Sequence, residues 1–160
     1  MEDIFHAIRG LLSEMMLITL LDMTIRGSPA IGVAGAYGVV FAVLEKNPAT
    51  KAELLDVVTK AKEYLDTSRP TAVNLMWATA RMKSFAEGLE EGADFAKEMI
   101  DEAQRIADED VRINKRMAQN GATLVPNNAN VIHHCNTGSL ATVDIGTALG
   151  VIYGTAVCDE

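Results

Sequence analysis

The sequence is poor in cysteine, with two in 160 residues, Cys135 and Cys158. A small secreted scaffold held together by disulfides needs several paired cysteines, so that class of protein is excluded. His133, His134 and Cys135 are consecutive, and successive residues of an extended chain point to opposite sides, so they lack the spacing of a zinc site. We therefore predict no bound metal.

Basic residues are also scarce, since 14 Lys and Arg face 22 Asp and Glu and the formal net charge is -8. The sequence has no cluster of Lys and Arg of the kind that neutralises nucleic-acid phosphates, so we expect no nucleic-acid partner. The motifs GxGxxG and GxxxxGK[ST] are missing as well, which argues against a dinucleotide or nucleoside triphosphate site. We predict no cofactor.

A hydrophobic run long enough to span a bilayer is missing near the N-terminus. Residues 15–21 are apolar, but Glu14 interrupts the apolar stretch and Asp22 ends it, so the run is too short. The acidic start, Glu2 and Asp3, differs from the basic beginning of a signal peptide. We interpret this stretch as a buried helix of a cytoplasmic protein with no membrane partner.

Alanine, the aliphatic residues and 8 methionines are abundant instead, a composition that favours helices. Apolar residues recur three or four positions apart, which predicts helices over residues 3–23, 30–45, 50–65, 72–87 and 94–120. Ser28 and Pro29 suit the N-cap and first position of the second helix. Thr50 and Glu53 predict a capping box at the third.

Two glycines, Gly35 and Gly38, lie inside the predicted second helix. Glycine costs about 1 kcal/mol relative to alanine in a helix interior, so another interaction has to compensate. A second backbone or a ligand that approaches closely would do so. We favour tight helix–helix packing for both residues.

The chain changes character after the last of these helices. Residues 121–130 predict a linker, Val131 to Cys135 predict the first strand, and a helix is expected from Ser139 to about Tyr153. The fold class is therefore an α-helical N-terminal domain over residues 1–125, followed over residues 126–160 by the opening βα unit of a second domain. One strand cannot form a sheet, so it pairs elsewhere or belongs with further sequence.

Three turns combine a predicted helix start with a polar or reactive side chain, and they carry Arg26, Arg69 and Cys135. Helix N-termini bind anions, and arginine binds phosphate through two parallel hydrogen bonds. Two such arginines in an acidic protein favour a phosphorylated small molecule as ligand. The alternative is that they pair with Asp22 and Asp66 or lie in solvent.

Cys135 lies where the predicted strand meets the predicted helix. A thiol at a helix N-terminus has a lowered pKa and a larger thiolate fraction, which predicts a reactive residue. The alternative is a small buried residue at the end of a strand, because free cysteine is often buried.

Four stretches resemble one known family closely and in the right order: Met23–Ala34, Arg69–Ala78, His134–Thr142 and Gly146–Ile152. They are similar to the methylthioribose-1-phosphate isomerases, and the resemblance covers about residues 20 to 152. The same superfamily includes ribose-1,5-bisphosphate isomerase and the regulatory subunits of translation initiation factor two-B.

The resemblance implies that the second domain is a Rossmann-like α/β domain, that the protein is a homodimer, and that a phosphorylated pentose binds between its domains. The implied reaction converts 5-methylthioribose 1-phosphate to 5-methylthioribulose 1-phosphate in methionine salvage. Cys135 matches the family's catalytic cysteine. Arg26, Gly27, Ser28 and Arg69 match its substrate-binding motifs.

The chain departs from the family in its later part. The family's catalytic aspartate, a glutamine and an asparagine–lysine pair match no position here, and Asp159 is not assigned to that role. We therefore expect weak or no turnover from these 160 residues alone. Two alternatives stay open, a non-catalytic regulatory subunit like those of the translation factor and a purely structural helical module.

Overall fold

A computed structural model describes residues 14–157, and its regular elements are all helices. The first, α1, covers residues 14–21 in this range. The predicted positions 3–13 of that helix, together with Cys158 and Asp159, lie outside the described residues. The remaining helices are α2 (Ser28–Lys46), α3 (Lys51–Asp66), α4 (Val73–Gly88), α5 (Phe95–Ala122) and α6 (Ala148–Val157), with a 3-10 turn at Ser139–Ala141.

Helix α2 is the centre of the fold, because α3, α4 and α5 all pack against it. In the described part of the chain it is the one helix long and apolar enough to cross a membrane by length and composition alone. Half of it is buried inside the protein, as expected of a core helix. Its fully buried valines, Val39, Val40 and Val43, join the core formed with Leu54, Leu75 and Met99.

Glycines let the neighbouring helices approach α2 closely. A Cβ atom on Gly35 would overlap the Leu75 side chain of α4. One on Gly38 would lie 2.9 Å from Leu65 Cδ1 of α3 and 3.2 Å from Met16 Cγ of α1. The predicted helix–helix packing at both glycines is confirmed, and the burial it allows compensates for their low helix propensity.

Most of the predicted helix boundaries agree with the structure to within two residues. The capping box of α3 is confirmed, since Thr50 Oγ1 accepts from the Glu53 amide at 3.2 Å and the Glu53 carboxylate accepts from the Thr50 amide at 3.3 Å. The N-cap prediction for Ser28 is wrong by one residue. Gly27 precedes α2, and its carbonyl accepts the first helical hydrogen bond, from Ile31 at 3.0 Å.

An ion-pair network joins α4 to α5. Arg81 donates to Glu102 at 2.7 Å and to both oxygens of Glu109, at 2.6 and 3.0 Å. Glu102 is buried and also accepts from Arg105, so its charge is balanced by two guanidinium groups. The hydrogen bond from Arg81 lowers the pKa of Glu109. Arg81 also lies over the ring of Trp77, 5.6 Å from its centroid.

The strand prediction for residues 131–135 is wrong in the described structure, which contains no strand between residues 14 and 157. This segment is irregular, and Ile132 is 97% exposed. A strand needs a partner for its backbone groups, and these residues have none here. The fold described is therefore the helical part of the predicted architecture, without the sheet of a Rossmann-like domain.

The helix predicted from Ser139 is also wrong in its start. A three-residue 3-10 turn ends at Ala141, and α6 begins only at Ala148. Between them Gly146 adopts a φ of 89°, and its amide donates to Thr142 Oγ1 at 3.0 Å, which closes a loop where a helix was expected. Helix α6 then packs on α5, where Val151 covers Gly121.

Gly35→Ala should destabilise the fold, because the added methyl group requires the buried Leu75 side chain to move. Overpacking of this kind costs about 1–3 kcal/mol, more than the gain in helix propensity. Urea unfolding followed by circular dichroism measures the change.

Gly88→Ala is the matched control, since no described atom lies within 4 Å of a Cβ there. It should leave stability unchanged or raise it. Equal stabilities of the two variants would contradict the packing explanation.

Candidate functional site

A cleft of about 1080 Å³ lies where the turn before α2, the turn before α4 and the loop after α5 meet. All five residues singled out in the sequence, Arg26, Gly27, Ser28, Arg69 and Cys135, line it. They come from three segments far apart in the chain, so tertiary packing alone brings them together. The other lining residues are Met23, Thr24, Ile25, Pro29, Ile31, Thr71, Ala72, Asn136, Ser139, Leu140, Ala141, Thr142 and Thr147.

The two arginine turns lie side by side because α2 and α4 start at the same end of their contact. A Cβ atom on Gly32, one turn into α2, would lie 2.9 Å from the Asn74 carbonyl at the start of α4. Such an approach places the N-termini of two helices next to one cleft. An α-helix leaves its first amides without intrahelical partners, so this end suits an anion.

Neither arginine is paired with the acidic residue suggested by the sequence. Asp22 accepts from the Thr24 amide at 2.8 Å, and this bond lowers the pKa of Asp22. Asp66 is bonded to Lys62 and Thr79 instead. Arg69 donates to the Leu20 carbonyl at 3.4 Å, which connects its turn to the end of α1.

The lining of the cleft differs in charge from the rest of the protein. The whole chain carries a formal charge of -8, yet the described lining residues include Arg26 and Arg69 and no aspartate or glutamate. Two guanidinium groups in a lining that contains no carboxylate attract a small anion and repel cations. The arrangement is chemically suited to hold a phosphate group.

Cys135 lies at the rim of the cleft with an exposed side chain and no disulfide. Its backbone φ of 68° is in the left-handed region, which residues other than glycine rarely adopt. The prediction of a helix directly after this thiol is wrong. The argument that a helix dipole activates Cys135 therefore does not apply. The Asn136 side chain instead accepts from the Gly138 amide at 3.4 Å and stabilises a turn.

The floor of the cleft includes residues that sequence reasoning missed. Ala141 is buried beneath Gly27, where an added Cβ atom would lie 2.8 Å from the Ala141 Cβ and overlap its backbone. Gly27 itself has a φ of 94°. Glycine is therefore needed at this position both for the backbone conformation and for the close contact with Ala141. Local sequence gives no signal for Ala141, because its role depends on a partner 114 residues away.

Within residues 14–157, no group of three or more His, Cys, Asp or Glu is arranged to hold a metal ion. The chemistry available to the described cleft is therefore that of two guanidinium groups, hydroxyl and amide groups, and one thiol.

The described part of the protein is a helical domain with a cationic cleft. Residues 24–158 match the model of a family described as the initiation factor 2 subunit family. The chain belongs to this family.

The relatives it matches include two bacterial enzymes. Methylthioribose-1-phosphate isomerase 2 of Pseudothermotoga lettingae is 54% identical over 134 residues, which cover 82% of this chain and 38% of that relative. The methylthioribose-1-phosphate isomerase of a Synechococcus strain is 48% identical over 132 residues, with the same coverage. The chain thus spans about two fifths of the length of these relatives.

Two solved structures share the fold. The delta subunit of translation initiation factor eIF-2B from A. fulgidus superposes with a TM-score of 0.81 at 36% identity, covering 92% of this chain and 44% of its own. The 5-methylthioribose 1-phosphate isomerase from Pyrococcus horikoshii gives a TM-score of 0.79 at 40% identity, and the match covers 90% of this chain and 42% of that structure.

Gly27→Ala should destabilise the protein by about 1–3 kcal/mol more than Gly92→Ala, because crowding against Ala141 adds to the conformational strain. Both glycines have positive φ, 94° and 85°, but no described atom lies within 4 Å of a Cβ on Gly92. Gly92→Ala therefore measures the strain alone. Chemical unfolding of both variants tests the difference, and equal losses would mean that the contact with Ala141 carries no constraint.

Proposed function

We propose that this chain is part of a methylthioribose-1-phosphate isomerase and that its cleft binds the phosphorylated pentose. The observation that supports the proposal is the common cleft of Arg26, Arg69 and Cys135, which has no acidic residue in its described lining. The sequence similarity to enzymes of this name over 82% of the chain supports it independently. The activity is that of a longer protein, since the relatives extend well beyond the matched part.

The chemistry assigns a role to each residue. Arg26, Arg69 and the start of α2 at Gly27 and Ser28 bind the phosphate and hydroxyl groups, because this end of the cleft combines guanidinium donors with helix amides. Cys135 moves a proton as the ring-opened aldose 1-phosphate becomes the 1-phosphoketose. The general acid/base that completes the reaction is a carboxylate from outside the described lining.

The setting of the enzyme follows from the family resemblance. We propose a cytoplasmic homodimer that acts in methionine salvage, without a nucleic-acid or membrane partner. The acidic net charge of -8 supports the absence of nucleic acid. The exposed apolar pair Val131 and Ile132 supports a continuation into a Rossmann-like domain, since partner strands would cover it.

A second candidate is a non-catalytic regulatory subunit. The similarity of the fold to the delta subunit of a translation initiation factor, with a TM-score of 0.81, favours it. An exposed thiol in the same cleft as two arginines without a described ion-pair partner favours an enzyme over a non-catalytic subunit, which is why the isomerase is preferred.

Binding of the sugar phosphate should depend on the cleft arginines. With 5-methylthioribose 1-phosphate at about 100 times its dissociation constant, the stabilisation is about 2.7 kcal/mol, or several degrees in Tm. Arg26→Ala and Arg69→Ala should each remove most of this shift in a thermal-shift assay.

Arg116→Ala is the control for charge, because this exposed arginine of α5 is not among the lining residues. It should retain the full shift. A ligand-induced shift that survives both cleft substitutions would place the phosphate elsewhere.

Turnover tests the assignment of Cys135. The 160-residue chain alone should form little or no ketose phosphate, because the described lining of its cleft contains no carboxylate. In a longer protein that contains this chain, Cys135→Ala should lower kcat by at least about 100-fold, the usual contribution of a proton-transfer group. Ketose formation by the 160-residue chain that is lost in Cys135→Ala would show that the carboxylate is not needed from elsewhere.

A further inference from the structure

The loop over residues 137–147 forms one wall of the cleft and is organised around two backbone groups. The Thr137 carbonyl accepts from the Thr147 amide at 2.8 Å and from the Leu149 amide at 3.3 Å. Gly146 donates to Thr142 Oγ1 at 3.0 Å in a buried bond. These bonds close the loop on itself and on the start of α6, but none of them joins it directly to α5.

A carboxylate of α5 makes the attachment. Asp110 Oδ2 accepts from the Val143 amide at 2.9 Å, across 33 residues of sequence. A carboxylate that accepts from a backbone amide makes a stronger bond than a neutral acceptor does. Asp110 is half-buried, and it is not among the residues that line the cleft.

Asn114 fixes the orientation of this carboxylate. Its Nδ2 donates to both the carbonyl and Oδ1 of Asp110, each at 2.9 Å, and its side chain is buried at 3% exposure. The second carboxylate oxygen is thereby left facing Val143. The buried Asn114 amide already holds the Asp110 carboxylate in one orientation. Little further side-chain entropy is therefore lost when Val143 donates to this carboxylate.

The second connection between α5 and the loop is weaker. Lys115 and Asp144 form an ion pair at 3.2 Å, but their side chains are 54% and 45% exposed. Ion pairs this exposed contribute little. The bond between Val143 and Asp110 is exposed as well, but its acceptor is half-buried and is oriented by Asn114, so it is the stronger of the two side-chain connections to α5.

The bond between Asp110 and Val143 affects the cleft because other residues of the same loop line it. Ala141 lies against Gly27 at the start of α2, and Thr142 and Thr147 line the cleft. Moving the loop therefore moves the surface opposite Arg26.

We propose that Asp110 is a positioning residue, held by Asn114, which fixes the 137–147 loop against α5 and so sets the shape of the site for a phosphorylated sugar. The role in ligand binding rests on the proposed function, whereas the attachment of the loop does not. Asp110 lies outside the lining of the cleft, and it acts on the site through the backbone of Val143.

Hydrogen exchange of single amides tests the attachment. In Asp110→Ala, exchange at Val143, Gly146 and Thr147 should accelerate at least about tenfold, because the loop opens locally. Amides in the middle of α2, such as Val39 and Val40, should change little. Asp110→Asn keeps one neutral acceptor oxygen, which can accept from Val143 but not from Asn114 as well, and should restore part of the protection.

Asp108→Ala is the matched control, because this exposed carboxylate on the same helix is bonded to Gln104 within α5. It should leave loop exchange unchanged. Unchanged loop exchange in Asp110→Ala, or equal acceleration in the loop and in α2, would overturn the proposal.

Affinity for 5-methylthioribose 1-phosphate tests the consequence for the site. Asp110→Ala should weaken binding at least about tenfold, Asp110→Asn should have an intermediate effect, and Asp108→Ala should bind like the unchanged protein. If the unchanged protein does not bind the sugar phosphate, the proposed function fails, and the exchange data still decide on the attachment. If the loop opens in Asp110→Ala while affinity stays constant, the positioning role is rejected and the proposed function stands.

Discussion

The near absence of side-chain bulk along one face of α2 is the constraint on which the described fold depends. Gly32, Gly35 and Gly38 let α4 and α3 approach to distances at which a Cβ atom would collide. This close packing brings the starts of α2 and α4 to the same end of the structure. The two arginine-bearing turns are neighbours for that reason, so a feature of the core determines the geometry of the cleft.

The cleft concentrates positive charge in an acidic protein. Asp22 and Asp66, the carboxylates nearest to the arginines in sequence, are occupied by Thr24 on one side and by Lys62 and Thr79 on the other. Their engagement leaves Arg26 without a described ion-pair partner and Arg69 with only a backbone carbonyl. Local hydrogen bonding thus keeps the cleft available for an anionic ligand.

The surroundings of Cys135 differ between the sequence prediction and the structure. The sequence predicted a thiol between a strand and a helix, and the structure has an irregular segment before it and a short turn after it. The residue still lies at the cleft, in a left-handed conformation that is uncommon for cysteine. The loop that follows it is bonded to α5 through Asp110 and lies against Gly27 through Ala141. In the proposed isomerase the thiol forms one side of the site, and the acid/base partner lies outside the described lining.

The sequence by itself determined the helices and their order, because helix formation follows from apolar spacing and local capping such as that of Thr50 and Glu53. It also singled out five of the residues that line the cleft, through turns, helix starts and family resemblance. Tertiary structure alone decided three other features: the missing strand at residues 131–135, the late start of α6, and the contacts of Asp110 and Ala141. The physical reason is that a strand, a loop conformation or a long-range hydrogen bond is stable only with its partner, and the partner is distant in sequence.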